Sequence, residues 1–361
     1  MKTSPQSFSR TLLSWHKNIH RPLPWVGERN PYFIWLSEVI LQQTSTKQGL
    51  PYFMTFKKRF PNVKSLAKAS EDEVLKLWQG LGYYTRARNL HASSKHICDE
   101  LNGEFPTTYE GIRELKGVGD YTAAAIASFA YNLPYPVVDG NVFRVLSRYF
   151  GVTTPIDTTG GKKEYNALAE NLIPKKYPAL YNQAIMDFGA LQCVPVRPEC
   201  GRCPFQDSCF ARKKNLVSRF PKKSKKIEKR NRYFHYLIVK QGRYTYLSKR
   251  EEEDIWKNLY EFPMIENKMP LTGEELVQTD FWREFIGGNS LKSIKFSGNF
   301  KQILTHQKIH ASFFEIHVSK EFKGNGLTRV NGDYTEKFAF PRVILLYLSD
   351  KTRYLNPLLI N

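Results

Sequence analysis

Four cysteines fall within seventeen residues, Cys193-x6-Cys200-x2-Cys203-x5-Cys209, and this run constrains the local fold more tightly than any other feature. Pro195, Pro198 and Pro204 stiffen the loops around them. The fifth cysteine, Cys98, stands alone between Ile97 and Asp99 and reads as an ordinary helical thiol. The N-terminus, MKTSPQSFSRTLLSWHK, has no apolar stretch followed by a small-residue cleavage site, so the chain is read as cytoplasmic. Thiols stay reduced there, and four packed together read as metal ligands rather than as a disulfide framework. The chemistry of four thiolates by itself suits a structural zinc or a [4Fe–4S] cluster. Arg197, Arg202, Arg212, Lys213 and Lys214 surround the cysteines, which is consistent with a loop set against phosphates.

The charge balance extends that idea to the whole chain. Lys and Arg outnumber Asp and Glu by 54 to 34, a formal charge of +20, which points to a polyanionic partner. An acidic membrane surface is the competitor, weakened by the lack of any long apolar run or basic amphipathic anchor. With 361 residues and 41% hydrophobic content, the chain can build two cored domains, which excludes global disorder.

Residues 114–148, ELKGVGDYTAAAIASFAYNLPYPVVDGNVFRVLSR, read as helix, tight turn, helix, then a loop into a basic helix with Arg144 and Arg148. Gly117 and Gly119 permit the turn, and the Ala-rich run after it is strongly helical. N–H groups at such a helix start suit a phosphate. Read alone, the turn is equally an ordinary helical hairpin, and Asp139 sits where a helix N-cap would. Upstream, Asn30-Pro31 opens a helix expected to run to Thr44, apolar nearly all round and therefore buried. Glu38 is its only charged side chain. Loss of solvation raises a carboxyl pKa and makes it a proton donor near neutral pH, unless the side chain escapes to solvent.

Helices are expected at 8–17, 71–77, 85–101 and 175–191, with an irregular turn at 21–25. The segment QGLGYYTRARNLH, from Gln79, offers Leu81, Tyr83 and Tyr84 on a glycine-rich loop; such a wedge fills the gap left by a flipped base, although aromatics beside glycines are often core filler. Gln183 reads as a helix-surface amide. Residues 217–232, VSRFPKKSKKIEKRNR, carry eight basic residues and one Glu and read as a solvated linker. Beyond it YFHYLIVK and RYTYLSK form a hairpin about Gln241-Gly242, with later strands at 293–296 and 309–318 and helices near 273–286 and 341–348.

Taken together, SEVILQQT around Glu38, GLGYYTRARNLH, the GVG turn with Asp139 downstream and the cysteine spacing resemble the adenine DNA glycosylases of the helix-hairpin-helix superfamily. The resemblance covers nearly the whole chain and is weaker beyond Tyr233. It implies a multi-domain protein: an all-α helix-hairpin-helix glycosylase domain at 1–216, with the hairpin at about 111–131 and a [4Fe–4S] loop at 193–209, then the linker at 217–232. An α+β Nudix-like mispair-recognition domain follows at 233–361, similar over LSKR…IWKNLYEFP. A Nudix pyrophosphatase would need G-x5-E-x7-R-E-x-x-E-E, which is absent: Arg283-Glu284 runs on into Phe-Ile-Gly-Gly, so this domain is expected to recognise rather than hydrolyse.

The implied activity is hydrolysis of adenine from duplex DNA opposite 8-oxoguanine or guanine, in base excision repair, by a nucleoid-associated monomer with no membrane partner. Glu38 would be the acid, Asp139 the anionic partner of the sugar, and Tyr121 and Asn141 would orient them. By the same resemblance Gly117 and Gly119 grip a phosphate, Gln43 and Tyr83 enter the duplex, and Gln183 contacts adenine. Leu304-Thr305-His306 stands for the family's Phe-Ser-His loop that reads 8-oxoguanine, with His306 retained. Val26 departs from the polar residue common there in relatives. The nearest rival, an endonuclease III-like glycosylase/lyase, needs a Schiff-base lysine where this chain has Tyr121. A non-catalytic DNA-binding protein would not need both Glu38 and Asp139.

Overall fold

The computed structural model describes residues 5–19, 21–224, 228–286, 291–320, 322–324, 326–331 and 334–355. In chain order the helices are α1 (Pro5–His16), α2 (Pro31–Leu41), α3 (Thr46–Arg59), α4 (Val63–Lys68), α5 (Glu71–Trp78), α6 (Thr85–Asp99), α7 (Tyr109–Arg113), α8 (Asp120–Tyr131), α9 (Gly140–Phe150), α10 (Thr159–Leu172), α11 (Pro178–Asp187), α12 (Phe210–Lys213), α13 (Gly273–Leu276), α14 (Asp280–Ile286) and α15 (Arg342–Leu355). The strands are β1 (Arg230–Gln241), β2 (Tyr244–Lys249), β3 (Tyr260–Glu261), β4 (Met264–Asn267), β5 (Leu291–Ile303), β6 (Gln307–Val318) and β7 (Thr328–Asn331). The chain divides into two compact units, Met1–Lys68 with Asn89–Lys226, and Ala69–Arg88 with Ile227–Asn361. Among the described residues no helix is long and apolar enough to cross a membrane.

The first unit is helical. Asn30 caps α2 by accepting from the Tyr32 amide, with Pro31 in the first turn, as the sequence predicts. The helix is buried at Tyr32 and from Ile34 to Ile40. Each fully buried aliphatic side chain contributes about 1.5–3 kcal/mol, which offsets the cost of carrying Glu38 inward. The helix stops at Leu41 rather than continuing to Thr44. Gln42 turns out of helical geometry (φ −54°, ψ 118°) and Gln43 is left-handed (φ 56°). Ser45 already caps α3, accepting from the Gln48 amide, so the chain must reverse between the two helices.

The expected hairpin is α7, a turn over 114–119, and α8. Gly117 has φ +81°, and a Cβ there would lie 2.7 Å from Asn89. Gly119 opens α8 with no side-chain cap, so the first N–H groups of the helix are not taken by a capping residue. After α8, Asn182 fastens the loop into α9: it accepts from the Val137 amide (3.1 Å) and donates to the Tyr135 carbonyl (2.9 Å). The core formed by α1, α9, α10 and α11 gathers Phe8, Leu12, Val145, Tyr165 and Tyr181, and Cys193, Cys203 and Cys209 pack on it. The helix expected over 175–191 is α-helical only to Asp187. A π-helical turn, Phe188–Gln192, then delivers the chain to Cys193.

The second unit carries a mixed sheet in the order β3-β2-β1-β6-β5, with β4 also on β1 and β7 on β2. β1 and β6 run parallel and the other pairs antiparallel. The predicted β1–β2 hairpin is present, closed where Gln241 faces Tyr244. The helical stretch expected at 273–286 is two short helices, the first opened by a Thr272–Glu275 capping box. One face of the sheet buries Leu237, Val239, Phe314 and Ile316 against Leu276, Trp282 and Ile286.

One expectation fails at the end of the basic segment. Arg232 is not solvated linker but part of β1, only 8% exposed, and paired with Asp254 (2.7 Å) and Glu266 (2.6 Å). Two carboxylates satisfy the guanidinium where strand alternation turns it inward. Residues 225–227 of that segment lie outside the described residues.

Candidate active site

A cavity of about 890 Å³ in the helical unit is lined by Glu38 and Gln43 from the α2 end, Tyr121 from α8, Asp139 and Asn141 at the start of α9, and Gln183 from α11. Six of the residues singled out in the sequence therefore meet there, and Val26 lines the same space. Gly117 and Gly119 are not among its lining residues but in the hairpin turn. Tyr83, Thr305 and His306 belong to the second unit.

Glu38 is buried, and loss of solvation pushes its carboxyl up to about 7; a hydrogen bond with Tyr121 pulls down, and the charge of Asp139 pushes up. The Tyr121 hydroxyl is itself raised, by burial first and by the two carboxylates next, so it stays a donor. Asp139 takes its capping role and more. Its Oδ1 accepts from the Val142 amide (2.8 Å) and its Oδ2 from Asn141 Nδ2 (2.8 Å). Burial raises Asp139 as well, but the Val142 amide, Asn141 and the Arg144 charge work against that rise. Glu38 has one such partner. Both carboxyls are thus raised by burial, and Asp139 has more hydrogen-bond donors opposing the rise than Glu38.

Arg144 was legible only as part of a basic helix. Its guanidinium is turned inward: Nη2 donates to Asn141 Oδ1 (2.8 Å) and the Gly189 carbonyl (2.6 Å), and Nε to the Cys193 carbonyl (2.8 Å). Gly189 also packs directly on the start of α9, where a Cβ would lie 2.6 Å from Asn141. Arg148 likewise donates to the carbonyls of Val194 (2.8 Å) and Pro195 (2.9 Å). Neither arginine had a periodicity that told a buried clamp from a phosphate-facing one. Asp187 was also missed; it accepts from His16, Arg21 and Gln183, three residues that line the cavity.

None of the four clustered cysteines is in a disulfide, and they line one small cavity with Tyr149, Phe188 and Phe205. Burial pushes the Cys203 thiol up to about 11 and raises Cys209, with the neighbouring cysteines adding to both. The Phe205 amide (3.4 Å) donates to Cys203 Sγ, and Arg148 Nη1 (3.5 Å) to Cys193 Sγ. Among the described residues no group of three or more His, Cys, Asp or Glu side chains is disposed to hold a metal ion.

The family model for "HhH-GPD superfamily base excision DNA repair protein" matches residues 36–175, and that for the NUDIX domain matches 235–350. A thermostable thymine-DNA glycosylase superposes with TM-score 0.53 at 29% identity, over 57% of this chain and 95% of its own. Endonuclease III from a non-covalent DNA complex gives 0.51 at 23%, over 58% and 95%, a likeness of fold alone. The fold is that of the helix-hairpin-helix glycosylases, hydrolases of N-glycosidic bonds. The adenine DNA glycosylase of Buchnera aphidicola subsp. Acyrthosiphon pisum is 38% identical over 262 residues, 72% of this chain and 75% of its own. That of subsp. Baizongia pistaciae is 36% identical over 317 residues, 87% of each, and that of Homo sapiens 40% over 217 residues, 58% of this chain and 40% of the human one. The chain belongs to the adenine DNA glycosylase family.

Proposed function

We propose that the protein releases adenine from duplex DNA where it stands opposite 8-oxoguanine, and also opposite guanine, without cutting the backbone. The observation that carries this reading is the pairing of a raised, buried Glu38 with a hydrogen-bonded Asp139 in one cavity. Neutral Glu38 donates its proton to N7 of the extruded base, so that adenine leaves with the electrons of the glycosidic bond. Ionised Asp139 stabilises the oxocarbenium-like sugar or traps it covalently. Glu38, now a carboxylate, takes a proton from water as the water attacks the sugar carbon. Tyr121 holds Glu38 through its hydroxyl, and Asn141 holds Asp139. A phenol at Tyr121 forms no Schiff base, which supports a monofunctional enzyme.

In this reading the uncapped start of α8, with Gly117 and Gly119, grips a DNA phosphate. Gln43 and Tyr83, both exposed and both at positive φ, enter the duplex at the flipped nucleotide. Thr305 and His306 read the oxidised partner base. Residues 1–216 would do the chemistry and 233–361 the recognition, in a monomer working at the nucleoid. Cys193, Cys200, Cys203 and Cys209, which line one small cavity, would hold a [4Fe–4S] cluster. The cluster would supply structural ordering of the basic 193–214 loop.

The test is single-turnover release of base from duplexes that differ only in the partner of adenine. Fast release opposite 8-oxoguanine, slower release opposite guanine and none opposite thymine is the expected result. Release of a damaged pyrimidine instead would favour the endonuclease III-like reading.

A further inference from the structure

Asp187 ends α11, is 1% exposed and lies behind three residues that line the cavity, His16, Arg21 and Gln183. Three side chains converge on it. Arg21 Nη1 donates to Oδ1 at 2.9 Å, while His16 Nε2 (3.1 Å) and Gln183 Nε2 (2.9 Å) meet Oδ2. Burial alone would raise this carboxyl, but the hydrogen bonds from His16, Gln183 and Arg21, and the arginine's charge, hold it below its usual range. It is an anion at neutral pH, and an ionised carboxylate only accepts.

That restricts Gln183, which sits one helical turn before Asp187. Its amide can face the carboxylate only through nitrogen, because turning it over would set Oε1 against Oδ2. With Nε2 turned to the carboxylate, Oε1 is the acceptor left to Gln183, a residue that lines the cavity. Arg21 lines the same cavity with one Nη taken by Asp187, and its other N–H groups remain donors. An acceptor beside a donor complements the edge of a 6-aminopurine, which offers a donor at C6 and an acceptor at N1. A 6-oxopurine offers the reverse.

We propose that Asp187 is a positioning residue that sets base selectivity: by fixing the Gln183 amide it makes the cavity accept a 6-amino group and reject a 6-oxo group. The inference rests on the glycosylase reading above. A wrong base would leave opposed lone pairs and unpaired groups in a desolvated site, the situation in which hydrogen-bonding pockets discriminate most strongly.

The experiment compares single-turnover release of adenine and of hypoxanthine from otherwise identical duplexes by the full-length protein with its metal content intact. In Asp187→Asn the side chain can donate as well as accept, so the Gln183 amide is free to turn over, and the adenine-to-hypoxanthine ratio is expected to fall about tenfold or more. Adding Gln183→Glu to that variant puts back a group that accepts at both ends, with the new amide at position 187 donating to it. The ratio should then recover, a rescue that general damage to α11 would not produce. Gln183→Leu, which leaves Asp187 with Arg21 and His16, should lower the ratio and covers the case in which Asp187→Asn does not fold. An unchanged ratio in Asp187→Asn and Gln183→Leu, or equal loss in the single and double variants, overturns this inference alone. Absence of adenine release by the unaltered protein overturns the glycosylase reading with it.

Discussion

The hydroxyl of Tyr83 meets the hydroxyl of Thr305, although 222 residues separate them in the chain. Tyr83 is left-handed (φ 49°), a costly state for a bulky residue. Thr305 lies in the three-residue turn between β5 and β6, closed by the Leu304 amide donating to the Gln307 carbonyl (2.8 Å). The two residues proposed to touch the two halves of one mispair thus share a hydrogen bond within one compact unit.

Thr305→Ala with His306→Ala is expected to slow adenine release opposite 8-oxoguanine more than opposite guanine. Loss of a hydrogen bond to the distinguishing base corresponds to about 1 kcal/mol, roughly fivefold in the ratio. The ratio of single-turnover rates on the two mispairs measures it, and an unchanged ratio would move recognition elsewhere in the domain.

Glu38→Gln and Asp139→Asn should each lower excision by about a thousandfold or more, because one substitution removes the proton donor and the other the negative charge. Duplex binding, followed by fluorescence anisotropy, should survive both. Near wild-type rates in either variant would remove the proposed chemistry.

The raised Glu38 carboxyl makes two pH predictions. Excision needs it protonated, so the single-turnover rate should decline as pH rises through about 7. Its pKa is higher in the folded protein than the usual 4.5, so the native state binds this proton more tightly than the unfolded chain. Stability therefore falls as pH rises from the usual value towards 7, and above it the penalty is on the order of 3 kcal/mol. Glu38→Gln lacks that penalty and should melt higher than the parent at alkaline pH but not in mild acid. A melting difference that is the same at both pH values would show that the carboxyl is not strained by burial.

Borohydride present during turnover should trap little protein–DNA adduct. Tyr121 cannot form an imine, but Lys162 lines the cavity, so efficient trapping that mapped to Lys162 would assign lyase chemistry.

Protein purified anaerobically should contain iron and sulfide, and Cys203→Ser should lose both and disorder the 193–214 loop to proteolysis. Stoichiometric zinc without iron would assign the four thiols to a different centre.

Much of this molecule was legible in the chain because the signals are local. The Asn30-Pro31 start, the apolar run around Glu38, the GVG turn, the Asp139 cap and the cysteine spacing each act within a few residues, and the structure keeps the two helix starts and the turn where they were read. Other features depend on what lies opposite in space. Thr44 fell outside α2 because α3 begins at once, and Arg232 went inward because Asp254 and Glu266 are there to neutralise it. Arg144, Gly189 and Asp187 carry no sequence signature, since an arginine on a basic helix reads the same whether it faces phosphate or backbone carbonyls. The environment of the two carboxyls also belongs to the fold: burial raises both Glu38 and Asp139, and the number of hydrogen-bond donors opposing that rise, one at Glu38 and several at Asp139, is set by which elements pack around each.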